Sequence, residues 1–258
     1  MVTPVDPLLF EELGLNAWPA LSSVYYDRWL LTHNGGFTFR ANAVYPFGES
    51  TLPLAEKIAY CESLYWGYRA PCIFKIVDHD QHLALDAALQ SQHYLQDDPA
   101  AIMTVANLDT IALPTMPVHL TRRLTRRWLE SYFDFSGRDP THIRTMARMM
   151  ALQRPAQRYA AVTVDGAIVS VGRVVIDRGW AGIYNLATAP RVRGRGLARE
   201  ATRALLLWAR QAGARSAYLQ VGLANGPALR LYQGLGFQEY YRYWFRYKAA
   251  PADTDGRQ

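Results

Sequence analysis

From Arg158 onward the apolar and polar positions follow the short periods of strands and then the longer period of a helix. Tyr159 to Val164 and Ala167 to Ile176 are runs rich in β-branched residues, joined by Asp165-Gly166, a two-residue turn in which glycine supplies the positive φ. The run Ile183 to Thr188 predicts a third strand. Leu197, Ala201, Leu205, Trp208 and Ala212 then recur every three or four positions, which places them on one face of a helix that Gly213 ends. Ala217 to Val221 reads as a strand. Asn225-Gly226-Pro227 starts a second helix through Gln233, closed by Gly234 and Gly236, and the aromatic run Tyr240 to Tyr247 predicts a last strand. Upstream, Val118 to Leu120 supplies a leading strand, and Leu124 to Tyr132 and Ile143 to Leu152 two helices. A boundary is expected in Asn107 to Met116.

The first hundred residues repeat part of this layout. Asn34-Gly35-Gly36 is expected to turn a hairpin between Tyr25 to Thr32 and Phe37 to Val44. Leu54, Ile58, Cys61, Tyr65 and Tyr68 mark a helix, and Cys72 to Ile76 a strand. The interval from Pro46 to Ile76 nearly equals that from Pro190 to Val221, and the interval from Ile76 to Tyr94 resembles that from Val221 to Phe237. Asn42 precedes Pro46 much as Asn185 precedes Pro190. Two copies of one α/β unit are therefore expected, over residues 1–110 and 111–250, with a disordered tail at 251–258.

Composition narrows the class. Of 258 residues half are apolar, and 28 Lys and Arg face 22 Asp and Glu, a net charge of +6, so a folded globular chain is expected rather than a disordered one. No run reaches the roughly 18 apolar residues of a membrane span, and the first residues lack the charged and apolar regions of a secretory signal, so a cytoplasmic protein without membrane attachment is expected. Cys61 and Cys72 do not form a CxxC pair and read as small buried residues. The positive charge is spread along the chain and favours an anionic ligand as much as nucleic acid.

The chemistry concentrates in Ala187-Thr188-Ala189-Pro190-Arg191-Val192-Arg193-Gly194-Arg195-Gly196-Leu197-Ala198, between a strand and a helix. Glycines there permit close backbone approach, and the first free N–H groups of the helix coincide with the positive end of its dipole, a combination that binds phosphate. A P-loop would end in Gly-Lys-Ser/Thr, whereas this loop ends in Gly-Leu-Ala. A dinucleotide fingerprint would need Gly or Ala where Arg199 stands, and an acidic residue on a following strand that instead ends Leu219-Gln220-Val221.

Arg193-x-x-Gly196-x-Ala198 resembles the R/Q-x-x-G-x-G/A acetyl-CoA signature of the GNAT superfamily of N-acetyltransferases. Asn225 through Phe237 is similar to that family's N-x-x-A-x-x-L-Y-x-x-x-G-F segment. The resemblance spans about Val118 to Lys248. It implies an α/β fold with a mixed sheet, in two tandem GNAT-like units of which the C-terminal one carries the acetyl-CoA site. The N-terminal copy has Phe47-Gly48-Glu49-Ser50-Thr51 in place of the glycine-rich loop, with one glycine and an added carboxylate, and is expected not to hold a pyrophosphate.

Carried over residue by residue, the resemblance assigns the pantetheine arm to the backbone of Leu186, Ala187 and Thr188. It assigns the pyrophosphate to Gly194, Arg195, Gly196, Leu197, Ala198 and Arg199, with Arg193 of the signature as a further cofactor-binding residue. Asn225 matches a cofactor-contacting position that is also a helix N-cap, and Tyr232 matches both a cofactor contact and the general acid that protonates the departing thiolate. Members of the family place a glutamate base on a strand beside the long helix; this chain has Gln220 there, and Tyr184 and Asn185 on the earlier strand. The base is left open between Tyr184, a wire of waters, and an acceptor amine of low pKa that needs little help. The implied activity is direct acetyl transfer from acetyl-CoA to a primary amine of a small molecule or amino acid in a ternary complex, by a monomer or homodimer, without a metal. The N-terminal copy would wall the acceptor pocket or stand in for a dimer partner. A non-catalytic acyl-CoA sensor is the alternative, and a nucleic-acid binder using the basic helix a third reading.

Three further features are read as structural. Asp78-His79-Asp80-Gln81-His82 is expected to be a polar loop rather than a metal site. Arg122, Arg123, Arg126 and Arg127 are expected on a solvated helix face, and Tyr240 to Tyr247 in the sheet core.

Overall fold

A computed structural model describes residues 6–251. Along the chain, α1 (Pro7–Ala17) is followed by β1 (Ser22–Tyr26), β2 (Trp29–His33), β3 (Val44–Pro46), α2 (Leu54–Gly67), β4 (Cys72–Val77), α3 (Asp80–Ser91), β5 (Leu95–Gln96) and β6 (Ala100–Val105). Then come β7 (His119–Thr121), α4 (Arg126–Ser136), α5 (Ile143–Leu152), β8 (Ala156–Val164), β9 (Ala167–Asp177), β10 (Trp180–Thr188), α6 (Leu197–Gln211), β11 (Ser216–Gly222), α7 (Gly226–Gln233) and β12 (Gln238–Lys248).

The chain forms two compact units, and their composition differs from the division expected at residue 110. One unit comprises the described residues up to Pro19 with Ala100–Tyr241; the other comprises Ala20–Pro99 with the residues from Arg242 on. Strand pairing supplies the reason. β6 follows the helices of the first half in sequence but pairs antiparallel with β11, from Ala217 opposite Val105 to Gly222 opposite Ala100. The last strand pairs with the first half instead, Tyr243 opposite Val77 through Lys248 opposite Cys72. Periodicity announces a strand and says nothing of its partner. Of the expected tail, residues 252–258 lie outside the described residues.

In the larger unit the order is β6-β11-β10-β9-β8-β7, antiparallel except for β10 and β11, which run parallel on either side of α6 in sequence. The α6 helix turns Leu197, Ala201, Leu205 and Ala209 inward, all buried, and Trp128 of α4 is anchored by its indole N–H on the Ala160 carbonyl at 2.8 Å. The α1 helix was not anticipated. It is capped by Asp6, whose carboxylate accepts from the Leu8 N–H at 2.9 Å, has Pro7 in its first turn, and packs Phe10 edge-on against Trp180 at 4.9 Å.

The smaller unit repeats the plan. Its β1 and β2 are antiparallel, β2 and β3 antiparallel, and β3 and β4 parallel across α2, as β8, β9, β10 and β11 are across α6. Its core is Trp29, Leu31, Ile58, Tyr65, Phe74 and Leu89. The expected single strand Tyr25 to Thr32 is two strands, because Asp27 and Arg28 both take positive φ, 40° and 65°, and make a tight turn there. Asn34 to Gly36 end β2, and Phe39–Ala41 form a short 3₁₀ turn rather than a strand. The expected polar loop at residues 78–82 is the start of α3: His79 caps it through Gln81 N–H, and buried His82 accepts the Val77 N–H on Nδ1 at 2.9 Å.

Candidate active site

The site forms where β10 leaves its neighbours. β10 pairs with β11 only as far as Ile183 opposite Leu219, beyond which Gln220 and Val221 pair with β6 alone. On its other edge β10 follows β9 to Tyr184, breaks register, and resumes with Ala187 and Thr188 opposite Val171 and Ser170. Asn185 and Leu186 stand in the bulge, and Asn185 holds φ at +52°, a left-handed conformation that Asn tolerates better than most residues. Backbone groups freed by a bulge beside a widening gap suit the binding of an extended amide chain. The Asn185 side-chain oxygen is buried and takes no hydrogen bond.

The loop after β10 presents donors. Arg193 braces it: its Nε donates to the Thr188 carbonyl at 3.2 Å and its Nη2 to the Phe135 carbonyl at 3.0 Å. The guanidinium thus shapes the loop through carbonyls. Gly194 and Gly196 both take φ of +79°, and a Cβ at either would meet only open space. Gly196 caps α6 without any side-chain acceptor. Among the described residues none accepts a hydrogen bond from the amides of residues 194 to 199. Six successive amides, glycine at two of them, and the start of a 15-residue helix make an oxyanion cradle. Its donor set fits a pyrophosphate.

Tyr232 and Asn225 lie on the following helix. Asn225 is the N-cap of α7, accepting from the Ala228 N–H at 3.2 Å, with Pro227 in the first turn. Tyr232 is buried with its ring edge toward Phe237, and burial pushes its phenol up to about 12, so it keeps its proton across the neutral range. It can donate a hydrogen bond to a nascent thiolate and cannot serve as a base near pH 7.

The opposite face of β10 and β11 holds side chains that the sequence patterns did not single out together. The hydroxyls of Tyr184 and Tyr218 bond one another, and burial drives the Tyr218 phenol well above its ordinary value. Gln220 lies against α1, where a Cβ on Gly14 would come within 3.1 Å of its side-chain nitrogen. Arg173, opposite Tyr184 on β9, is fully buried and donates to the Gln153 side chain at 2.9 Å and the Ala17 carbonyl at 2.7 Å. Arg173 sits within a strand buried continuously from Val169 to Val175, and only a charge inside that apolar run hinted at its place. The arginines of α4 do not converge on the loop: Arg126 pairs with Glu130 at 2.7 Å, and Arg127 donates to the Gly166 carbonyl at 2.7 Å. No group of three or more potential metal ligands occurs among the described residues, and none of their helices is long and apolar enough to cross a membrane.

A mixed sheet with parallel strands parting beside a glycine-rich helix start defines a GNAT-type N-acetyltransferase. The chain belongs to the family described as probable histone acetyltransferase Rv0428c C-terminal, whose profile matches residues 10–247. It is 25% identical over 242 residues to the uncharacterized N-acetyltransferase YobR of Bacillus subtilis (strain 168), covering 92% of this chain and 97% of that protein. A GCN5-related N-acetyltransferase from Kribbella flavida superposes with a TM-score of 0.68 at 15% identity, over 95% of this chain and 96% of that one. A tandem GNAT protein from the clavulanic acid biosynthesis pathway gives 0.66 at 13% identity, over 98% and 92%. Both structures share the fold, and the second is described as a tandem GNAT protein.

Proposed function

We propose that this chain transfers the acetyl group of acetyl-CoA directly to a primary amine of a small molecule or amino acid, in a ternary complex. The observation that carries the donor half is the unbroken run of unbonded amides from Gly194 to Arg199 at the head of α6. Leu197, Ala198 and Arg199 would supply the helical donors to the pyrophosphate, and Gly194, Arg195 and Gly196 those of the loop. Leu186, Ala187 and Thr188 would pair with the pantetheine arm, and Asn225 would keep α7 in place by capping it. The free amine attacks the thioester carbonyl, the tetrahedral intermediate expels the CoA thiolate, Tyr232 lends its proton to that sulfur, and the proton shed by the acylated nitrogen passes to solvent, from which the Tyr232 phenolate is reprotonated.

The acceptor half follows from what the strands lack. Gln220 cannot accept a proton, and Tyr218, bonded to Tyr184, ionises only far above neutrality. An α-amine near pKa 8 is about 10% free base at pH 7, whereas a lysine-type amine near 10.4 is about 0.04%. The geometry therefore favours an acceptor whose amine is already weakly basic. Thiol release from acetyl-CoA measured over a panel of α-amino esters, aminosugars, polyamines and a lysine-containing peptide tests this. Release faster by about 100-fold with the less basic amines at pH 7 supports the proposal. Binding of acetyl-CoA with no turnover on any amine would favour an acyl-CoA sensor.

A further inference from the structure

The two units are built on one plan, so the place in the smaller unit that corresponds to the glycine-rich loop can be compared directly with it. In the larger unit the turn between the first two strands of the plan is Asp165-Gly166, and Asp165 is exposed. In the smaller unit the same turn is Asp27-Arg28, and Asp27 is engaged. Its carboxylate accepts from the Thr51 N–H at 3.0 Å, the Thr51 hydroxyl at 2.6 Å and the Leu52 N–H at 3.1 Å, all in the loop leading into α2. Lys57, in the first turns of α2, completes the set: its ammonium lies 3.1 Å from the Asp27 carboxylate and also donates to the Asp27 carbonyl and the Ser50 hydroxyl. Lys57 is wholly buried, 3.8 Å over the Trp29 ring. Glu49, the carboxylate that the sequence placed at this loop, is exposed and takes no part.

Two backbone amides, a hydroxyl and a buried ammonium converging on one anion is the donor set of a phosphate site. A lysine closed off from water needs a fixed anion beside it, because its charge loses hydration that only a close counter-charge replaces. We infer that the smaller unit retains an oxyanion cradle formed by Thr51, Leu52 and Lys57, and that the chain's own Asp27 fills it in place of a phosphate. The cradle is latent: the unit takes no nucleotide, and each chain binds one acetyl-CoA. This inference adds to the donor site proposed above and does not depend on turnover.

The probe is inorganic phosphate, and the variant is Asp27→Gly, which vacates the cradle while glycine accepts the turn's positive φ. In phosphate-free buffer the variant melts below the wild type. Phosphate at about ten times its Kd raises the variant's Tm by about 3–6 °C more than it raises that of the wild type. The wild type carries the same glycine-rich loop in the larger unit, so the difference isolates the cradle. Lys57→Met added to Asp27→Gly abolishes the extra rise. Calorimetry on the wild type gives one acetyl-CoA per chain. Equal phosphate responses in wild type and variant would overturn the inference, and so would two acetyl-CoA per wild-type chain. No acetyl-CoA uptake at all would instead refute the donor site, leaving the phosphate comparison to decide the cradle. If Asp27→Gly is poorly soluble, Asp27→Ser supplies the same comparison.

Discussion

In the proposed reaction Gly196 and Tyr232 are the single residues that would set the two halves of the donor chemistry. A side chain at Gly196 would find room but not a comfortable backbone, since a φ of +79° costs an L-residue about 1–2 kcal/mol. Gly196→Ala is therefore expected to lower stability by about 1 kcal/mol in urea unfolding and, by placing a methyl over the helix amides, to weaken acetyl-CoA binding about tenfold in calorimetry. As the proposed acid, Tyr232 would act only while protonated, and burial pushes its phenol up to about 12, so once the pH exceeds the acceptor amine's own pKa the rate should hold level up to about pH 10 instead of declining in the range of an ordinary phenol. Tyr232→Phe should lower kcat about 10²-fold while leaving the Kd for acetyl-CoA within twofold. An unchanged kcat would remove Tyr232 from the chemistry. Both residues stand out in the sequence because their types and spacing match the family's two segments. The bulge at Asn185 and the burial of Arg173 do not, since both are matters of register and packing that one strand's composition does not disclose.

Elements divide in the same way. The α6 helix, the hairpin at Asp165-Gly166 and the strand before the loop were legible because each carries its own period and its own glycine. The β1–β2 hairpin was missed because Asp27 and Arg28 take positive φ without a glycine to signal it. The α1 helix begins with a plain signal, Asp6-Pro7, but its sequence lacks the strong apolar periodicity that α6 has. The start of α2 makes a prediction of its own. Bonds from Thr51 and Leu52 hold the Asp27 carboxyl well below the usual carboxylate range. A depressed carboxylate contributes stability above its unfolded pKa, near 4, and loses it as pH falls toward the folded value. The difference in urea midpoint between wild type and Asp27→Asn should be full at pH 7 and shrink steadily below pH 4.

At the scale of the whole molecule, each unit takes a strand that lies in the other half of the sequence. Residues 111–258 alone lack both α1 and β6, leaving β11 without the partners of Ala217 to Gly222 and Trp180 without Phe10. That fragment should lack the near-UV signal of packed aromatics and bind no acetyl-CoA, whereas co-expression with residues 1–110 should restore both. A well-folded, binding-competent fragment would mean that the pairing of β6 is dispensable. Such exchanges are invisible to a reading that assumes that neighbours in sequence share a domain. Hydrogen exchange read at single amides, with and without saturating acetyl-CoA, probes the account most directly. It predicts strong slowing at residues 194 to 199 with no change at Thr51 and Leu52; slowing confined to other segments, with residues 194 to 199 exchanging as fast as before, would contradict it.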